Sequence, residues 1–280
     1  MLQVARLSPK LLGDSQDLVR SFLARECVDG AFRDRSGNPD LYYTVFGLEC
    51  LRALSAELPA GTAAYLNALG DGSSLDLVHL SCLARAWANV ERNVPHAAAI
   101  AARVEGFRTA DGGYGASGSG TLYGCFLALG VYQDLRLEMP RAEEMLRCVR
   151  ALQSGDGAFA NQAGAPAGQT SATAAAIGVL RAFDQTVPTE VGPWLAARQH
   201  SSGGFFAAPA APIPDLLSTA TALHALVSVR MPLDSIRESA LDFLDSLWTT
   251  RGGFVGSWAD DILDCEYTYY GLLALGHLSI

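Results

Sequence analysis

The sequence predicts an all-α fold, an α/α toroid or (α/α)6 barrel of six helix-hairpin repeats that occupies residues 1–280 as a single domain. Three observations predict it: glycine-containing pairs recur along the chain, prolines recur in phase with them, and polar helical segments alternate with apolar ones. The chain is 50% hydrophobic over 280 residues, which suffices for one large core.

The repeat is marked by small-residue pairs whose second members are residues 30, 72, 113, 157, 204 and 253, at steps of 41 to 49 residues. Prolines precede each helical pattern, where the missing proline N–H costs little. They are Pro9, Pro59, Pro95, Pro140, Pro188 and Pro232. A period of this size is typical of stacked supersecondary units. Each unit is therefore predicted to run proline, helix, glycine turn, helix.

The two helices of a unit differ in polarity. The first helices have charges on one side and apolar residues at spacings of three and four, at 18–26, 97–107, 142–152 and 233–248. The second helices are apolar nearly all round, at 41–54, 77–88, 122–132, 170–183, 216–229 and 267–278. Apolar helices are buried helices, so we expect them inside a ring of polar ones.

The first and last repeats share Asp, Tyr, Thr, Gly and Leu in identical register, at 40–48 and 264–272. This near-identity favours a ring that is closed by packing the sixth helix pair on the first. An open solenoid is the alternative, but its end repeats normally carry polar capping faces. The last helix is instead among the most apolar.

Several second helices begin with an acidic residue: Asp40, Asp76, Asp215 and Asp264. Aspartate accepts hydrogen bonds from the free N–H groups of a first turn, so one interpretation is helix capping. The other is a ring of carboxylates around the mouth of a central cavity.

The net charge of −9 and a pI near 5.0 argue against nucleic acid and anionic membrane surfaces as partners. No stretch approaches the roughly 18 apolar residues of a membrane span, and the first residues show no signal-peptide pattern. The six cysteines include no CxxC motif, so we expect them to be reduced, in a cytoplasmic protein.

The glycine pair, the aromatic residue after it and the later Asp-x-x-x-Thr/Ser-x-x-Gly/Ala phrase resemble the prenyltransferase/squalene-cyclase repeat. The phrase is most specific at 112–115, at 203–205 with 214–215, and at 252–254 with 264–268. The likeness is greatest to protein prenyltransferase β subunits, especially those of Rab geranylgeranyltransferase. It implies an α/α toroid with an aromatic-lined central pocket for an isoprenoid, and a helical α-subunit-like partner.

The zinc site of these transferases is not kept. The resemblance implies Asp, Cys and His ligands, and Asp215 matches the first. The Cys position is Leu217 and the His position is Tyr267, neither of which supplies the expected donor. Cys265 is a weak substitute. We therefore expect no zinc and no other cofactor.

The diphosphate site is not kept either, because the segment that should carry Arg and Lys, residues 207–214, has no cation. The related class II terpene cyclases protonate an alkene with the middle Asp of Asp-x-Asp-Asp-Thr-Ala. Leu217 occupies that place in the matching stretch 215–220. Another carboxyl is then required, and the candidate catalytic residues are Asp215, Glu266 and Asp264, with Asp260 and Asp261 just upstream.

An apolar pocket is expected to be lined by Tyr43, Tyr123, Leu217, Tyr267 and Tyr270, although aromatic residues of buried helices also serve as core filler. The histidines on the second helices, His79 and His224, are expected to be structural. Three functions stay open: a divergent transferase or cyclase, a non-catalytic lipid-binding module, and a protein-binding scaffold.

Overall fold

The computed structural model describes residues 1–280 and is dominated by helices joined by glycine turns. In chain order the elements are α1 (Leu2–Ala5), α2 (Pro9–Leu12), α3 (Gln16–Glu26), β1 (Cys27–Val28), β2 (Ala31–Arg33), β3 (Pro39–Asp40), α4 (Leu41–Ala53), α5 (Thr62–Ala68), α6 (Leu77–Val90), α7 (Ala97–Glu105), α8 (Leu122–Leu135), α9 (Ala142–Ala151), α10 (Thr170–Ala182), α11 (Val191–Ala196), α12 (Leu216–Ser228), α13 (Arg237–Leu247), β4 (Trp248–Thr249), β5 (Gly253–Phe254) and α14 (Cys265–Leu278). None of these helices has the length and apolarity that a bilayer crossing needs.

The helices agree with the sequence prediction at all six apolar positions and at three of the four polar ones, within a few residues. The fourth polar helix, α13, begins at Arg237 rather than Leu233, because residues 234–236 form a turn first. Pro9 opens the short helix α2 itself, one helix earlier than expected. The short strands were not predicted.

Four of the apolar helices begin where an aspartate caps them. The side chains of Asp40, Asp76, Asp215 and Asp264 accept hydrogen bonds from the backbone N–H three residues on, at 3.0, 2.9, 2.7 and 2.8 Å. Thr121 caps α8 in the same way. Each cap satisfies one of the N–H groups that a helix start leaves free. The capping interpretation of these aspartates is therefore confirmed.

Four of the six glycine turns are fastened to the following apolar helix by the aromatic residue that comes after the glycines. The backbone N–H of that residue donates to a threonine hydroxyl one turn into the helix. The pairs are Phe32 with Thr44, Phe159 with Thr173, Phe205 with Thr219, and Phe254 with Thr268, at 2.8, 3.1, 2.9 and 3.4 Å. The aromatic rings are buried. The threonine of the repeat phrase thus serves the fold in these repeats.

Gly252 shows why the turns require glycine. Its φ is +100°, and a Cβ built there would lie 2.1 Å from the carbonyl oxygen of Leu18. An L side chain at this place meets both an unfavourable backbone conformation and a backbone clash. The last repeat therefore approaches α3 as closely as backbone atoms allow.

We expect Gly252→Ala to lower the free energy of unfolding by about 3 kcal/mol, since strain and steric overlap act together. Gly118→Ala is the control, because a Cβ at Gly118 meets nothing within 4 Å. Its effect should stay within about 0.5 kcal/mol. Urea unfolding of the two variants measures the difference, and equal stabilities would contradict this account.

The chain divides into two compact units, residues 1–62 with 192–280 and residues 63–191. In the first unit, α14 packs between α4 and α12, and α1 and α13 lie against it. Ten of the residues between Thr268 and Leu278 are buried. The predicted packing of the last apolar helix on the first is confirmed.

In the second unit, α8 packs between α6 and α10. The polar helices bridge neighbours, with α7 on α6 and α8 and α9 on α8 and α10. The alternation of apolar and polar helices in this unit is the one that the sequence predicts.

Glu105, at the end of α7, holds the glycine turn at residues 112–113 in place. It accepts hydrogen bonds from Arg108 at 2.9 Å, from the Tyr114 hydroxyl at 2.5 Å and from the Tyr132 hydroxyl at 2.9 Å. Burial alone would raise the pKa of Glu105, but these hydrogen bonds outweigh it and lower the pKa to about 2. The ionised carboxylate is therefore a stabilising group of the folded state.

Because the pKa of Glu105 is lowered on folding, its contribution is present above about pH 4.5 and is lost as the pH falls towards 2. We expect Glu105→Gln to cost about 2–3 kcal/mol of unfolding free energy at pH 7, and much less at pH 3. Glu143→Gln, at an exposed site on α9, is the control. Urea unfolding at both pH values measures the stability difference between the Glu105→Gln variant and the wild-type protein. A difference that does not depend on pH would contradict this account.

Candidate functional site

The sequence-predicted site residues lie mostly in the first unit, at the first turns of α4, α12 and α14. Tyr43 is on α4, Asp215 and Leu217 begin α12, and Asp264, Glu266, Tyr267 and Tyr270 begin α14. Tyr123 belongs to the second unit, in the first turn of α8, and is 45% exposed. The candidate site described below is therefore the cluster on α4, α12 and α14.

Glu266 is the carboxyl that stands among aromatic rings. The Tyr42 hydroxyl donates a hydrogen bond of 2.6 Å to its Oε1. Burial raises the pKa of Glu266, and the negative charge of the nearby Asp264 raises it further. The Tyr42 hydrogen bond lowers the pKa by less, so the pKa stays above its ordinary value. Glu266 thus has no cation bonded to it and holds its proton more readily than an exposed glutamate does.

Asp264 has a different environment. Its Oδ2 accepts a hydrogen bond of 2.8 Å from Nε of Arg35, and its Oδ1 caps α14. Nη2 of Arg35 also donates to Asp260, at 2.8 Å. Burial raises the pKa of Asp264 although the Arg35 guanidinium lowers it. These contacts join the first repeat to the last, so the role of Asp264 is structural.

Arg35 also lies over the Tyr267 ring, with its guanidinium carbon 5.3 Å from the ring centre. It comes from the turn between β2 and β3, and two carboxylates already neutralise its charge. Burial raises the pKa of Tyr267 to about 12, with Glu266 contributing to the rise. Tyr267 is therefore a neutral phenol at physiological pH.

Aromatic rings form a continuous layer beside Glu266. Phe46 on α4 lies 5.0 Å from the Tyr42 ring, 5.8 Å from Tyr269 and 5.7 Å from Tyr270, measured between ring centres. Tyr42 in turn lies 5.6 Å from Tyr43. Tyr42, Phe46 and Tyr270 are half-buried, so part of each ring stays open.

Asp215 caps α12 with both carboxylate oxygens. Oδ1 accepts from the backbone N–H of Ser218 and Oδ2 from the Ser218 hydroxyl, each at 2.7 Å. Burial raises the pKa of Asp215 despite these bonds. Leu217, two residues on, is half-buried and presents only carbon atoms. At this position the cluster offers apolar surface rather than a proton donor.

The residues at the positions where the resemblance to protein prenyltransferases implies zinc ligands do not fit a zinc ion. Asp215 uses both oxygens to cap its helix, and Leu217 has no donor atom. Tyr267 is a phenol whose raised pKa opposes the ionisation that metal binding would need. No group of three or more His, Cys, Asp or Glu side chains stands close enough together to hold a metal.

Sequence reasoning missed two features. The first is the Arg35 cluster, whose signal was only a charged turn far from α14 in the chain. The second is His224, expected to be an isolated structural histidine. Its Nδ1 lies 3.0 Å from Nε2 of His277, so the two histidines form a pair. His79 bonds Asp76 at 2.8 Å and has the expected structural role.

An open depression of about 560 Å³ lies in the second unit, lined by residues that include Leu75, Arg103 and Phe107. None of the predicted site residues lines it. Its residues carry no arrangement of acids, bases or nucleophiles, so the chemistry of the chain is better sought at the cluster on α4, α12 and α14.

Comparison with known proteins identifies the family and the fold class of the chain. The sequence matches the prenyltransferase alpha-alpha toroid domain over residues 8–83, 73–206 and 176–279. The chain belongs to this family. Its fold class is accordingly the α/α toroid, as the sequence predicts. A search of curated proteins gave no match.

Solved toroids support the same fold. Type II terpene cyclase MstE from Scytonema, in two variants complexed with geranylgeranyl dihydroxybenzoate, is similar at TM-scores of 0.65 and 0.67, with 13% and 12% identity. Each comparison covers 97% of both chains. Candida albicans protein geranylgeranyltransferase-I complexed with GGPP gives a TM-score of 0.51 and 17% identity, covering 99% of this chain and 81% of that one. At these identities the likeness shows the fold alone.

Proposed function

We propose that this toroid is a type II terpene-cyclase-like enzyme. It binds a linear isoprenoid against the aromatic layer of α4 and α14, and Glu266 protonates an alkene of that chain to start ring closure. The observation that carries the proposal is the Glu266 carboxyl, half-buried beside the aromatic layer, hydrogen-bonded by Tyr42 and with its pKa raised by burial.

A general acid for this chemistry needs a carboxyl that holds its proton in apolar surroundings. It also needs help for the anion that remains. Tyr42 supplies that help, because its hydrogen bond to Oε1 strengthens when Glu266 becomes charged. Asp215 and Asp264 meet the first condition less well, since both are committed to helix caps.

In the proposed step, the O–H bond of Glu266 breaks and a C–H bond forms at one alkene carbon, leaving a carbocation at the other. The electron pair of the next alkene closes a ring and moves the cation along the chain. Loss of a proton from the last cation restores an alkene, so the product is an isomer of the substrate. In this proposal the rings of Phe46 and Tyr270, whose centres are 5.7 Å apart, supply the π faces that stabilise the intermediate cations.

Transfer of a prenyl group to a protein is less well supported. The zinc positions do not fit the metal, and residues 207–214 carry no charge to bind a diphosphate. Arg35 is a cation near α14, but Asp260 and Asp264 neutralise it. We therefore propose a cyclase that works without zinc.

The direct test is incubation in D₂O with geranylgeraniol and with geranylgeranyl dihydroxybenzoate, followed by mass spectrometry and proton NMR. The expected product is cyclic and has one deuterium at the carbon that was protonated. A chain that binds these compounds yet leaves their alkenes intact and free of deuterium would refute the cyclase proposal and favour a lipid-binding module.

A related expectation concerns the head group. We expect geranylgeranyl diphosphate to bind no more tightly than geranylgeraniol, because no unpaired cation of the cluster balances a diphosphate. Calorimetry with both ligands measures this. A preference for the diphosphate of about tenfold, or 1.4 kcal/mol, would reveal a cationic site.

A further inference from the structure

His224 on α12 and His277 on α14 form a side-chain pair in the first unit. Nδ1 of His224 lies 3.0 Å from Nε2 of His277, and the ring centres are 5.1 Å apart. His277 is 3% exposed, whereas His224 is half-buried. The His224 ring is therefore the more accessible of the two.

A count of hydrogen bonds shows that the pair is incomplete. One proton lies between the two rings, which makes one nitrogen the donor and the other the acceptor. Nδ1 of His277 is buried and has no partner. Nε2 of His224 makes no hydrogen bond with the protein. The pair thus has an accessible nitrogen that can either accept or donate, depending on the tautomer.

Both rings are neutral at physiological pH. Burial is the main cause that lowers the pKa of His224 to about 4 and that of His277 to about 3, and the positive charge of the N-terminal amino group lowers both pKa values further. The pair itself supplies no charge to a diphosphate, and the single charge of the N-terminal amino group near it is smaller than that of the anion. The pair suits an uncharged hydroxyl, phenol or carbonyl group.

The position of the pair connects it with the candidate site. His224 follows Leu217 by seven residues, which is two helical turns, so both lie on the same face of α12, roughly 10 Å apart. His277 follows Glu266 by eleven residues, close to three turns, so these two also share one face of α14, roughly 16 Å apart. The histidines stand at the opposite ends of these helices from the Glu266 carboxyl.

We propose that the His224–His277 pair is a binding subsite for the uncharged polar head of the isoprenoid, with His224 Nε2 as the contacting atom and His277 as a positioning residue. This inference rests on the proposed function for the assignment of the ligand as an isoprenoid. It adds the class of its head group: alcohols, phenols or carbonyl compounds rather than diphosphates. The alkene tail then extends towards Glu266.

Binding measurements on the full chain test the subsite. We use calorimetry with geranylgeraniol and with the matching hydrocarbon that lacks the hydroxyl. The wild-type protein should prefer the alcohol by about fivefold, the value of one uncharged hydrogen bond. His224→Leu should abolish the preference without weakening hydrocarbon binding. His79→Leu, at a half-buried position of α6 in the second unit, should preserve it.

Nitrogen-15 NMR of the histidine side chains in the wild-type protein keeps the test decisive should the leucine variant fail to fold. Geranylgeraniol should shift the His224 Nε2 resonance, and the hydrocarbon should not. An unshifted resonance at saturating alcohol, or a preference that survives in folded His224→Leu, overturns the subsite. These outcomes are independent of catalysis: a protein that keeps the alcohol preference but forms no cyclic product refutes the cyclase proposal alone.

Discussion

A Glu266→Gln variant is expected to lose the proposed cyclisation by about 10²- to 10⁴-fold, the usual contribution of a positioned general acid. Glutamine has nearly the same shape and can still accept the Tyr42 hydrogen bond, but it has no acidic proton to give. The measurement is the rate of deuterium incorporation from D₂O under saturating substrate. Substrate binding should change little, since the variant removes no apolar contact.

The same variant should be at least as stable as the wild-type protein at neutral pH. Burial raises the pKa of Glu266 in the folded state, so the ionised carboxylate lowers the free energy of unfolding above that pKa. This loss of stability disappears as the pH falls below it. A neutral glutamine removes this cost. Loss of activity together with an unchanged or raised Tm separates a functional carboxyl from a structural one.

Two controls sharpen the test. Glu238→Gln, at an exposed position of α13, should leave activity and Tm unchanged. Tyr42→Phe keeps the aromatic ring but removes the hydrogen bond to Glu266, and we expect a loss of about 10- to 100-fold. A folded Glu266→Gln variant with wild-type activity would show that another group is the acid.

The second large effect is expected from removing α14 by ending the chain at Asp264. This helix buries Tyr269, Leu272, Leu273, Leu275 and Leu278. At roughly 2 kcal/mol for each large side chain, the loss is on the order of 10 kcal/mol, comparable to the whole stability of a domain. We expect the shortened chain to be insoluble or molten.

Leu273→Ala gives a milder version of the same test and should cost about 2–5 kcal/mol. Because α14 packs between α4 and α12, hydrogen exchange should accelerate in both neighbours. Unchanged protection of 41–51 in this variant would mean that α4 does not depend on α14.

The sequence contains most of the information about the helices because each repeat encodes its own start. A glycine turn, an aspartate at the N-cap and a threonine one turn later act over fewer than twenty residues. Such short-range signals can be recognised in a single sequence. The packing of α14 on α4 was also predictable, because the first and last repeats use the same phrase.

The site was only partly predictable. Glu266 and Tyr267 stand out as polar and aromatic residues at the start of an apolar helix. Nothing local couples Arg35 to Asp264, which are 229 residues apart, or His224 to His277, which are 53 apart. Such pairs depend on which helices become neighbours and on their rotation, which a hydrophobic pattern alone leaves open.

The contact of α14 with α4 also has a consequence for the order of events during synthesis. Helix α14 leaves the ribosome more than 200 residues after α4, which is a delay of about 10–40 s at ordinary elongation rates. Throughout that interval the side of α4 that α14 covers in the folded protein lacks this contact. We expect refolding to be slow for a helical protein, because its final step joins distant parts of the chain, and the nascent chain to depend on chaperones until α14 arrives.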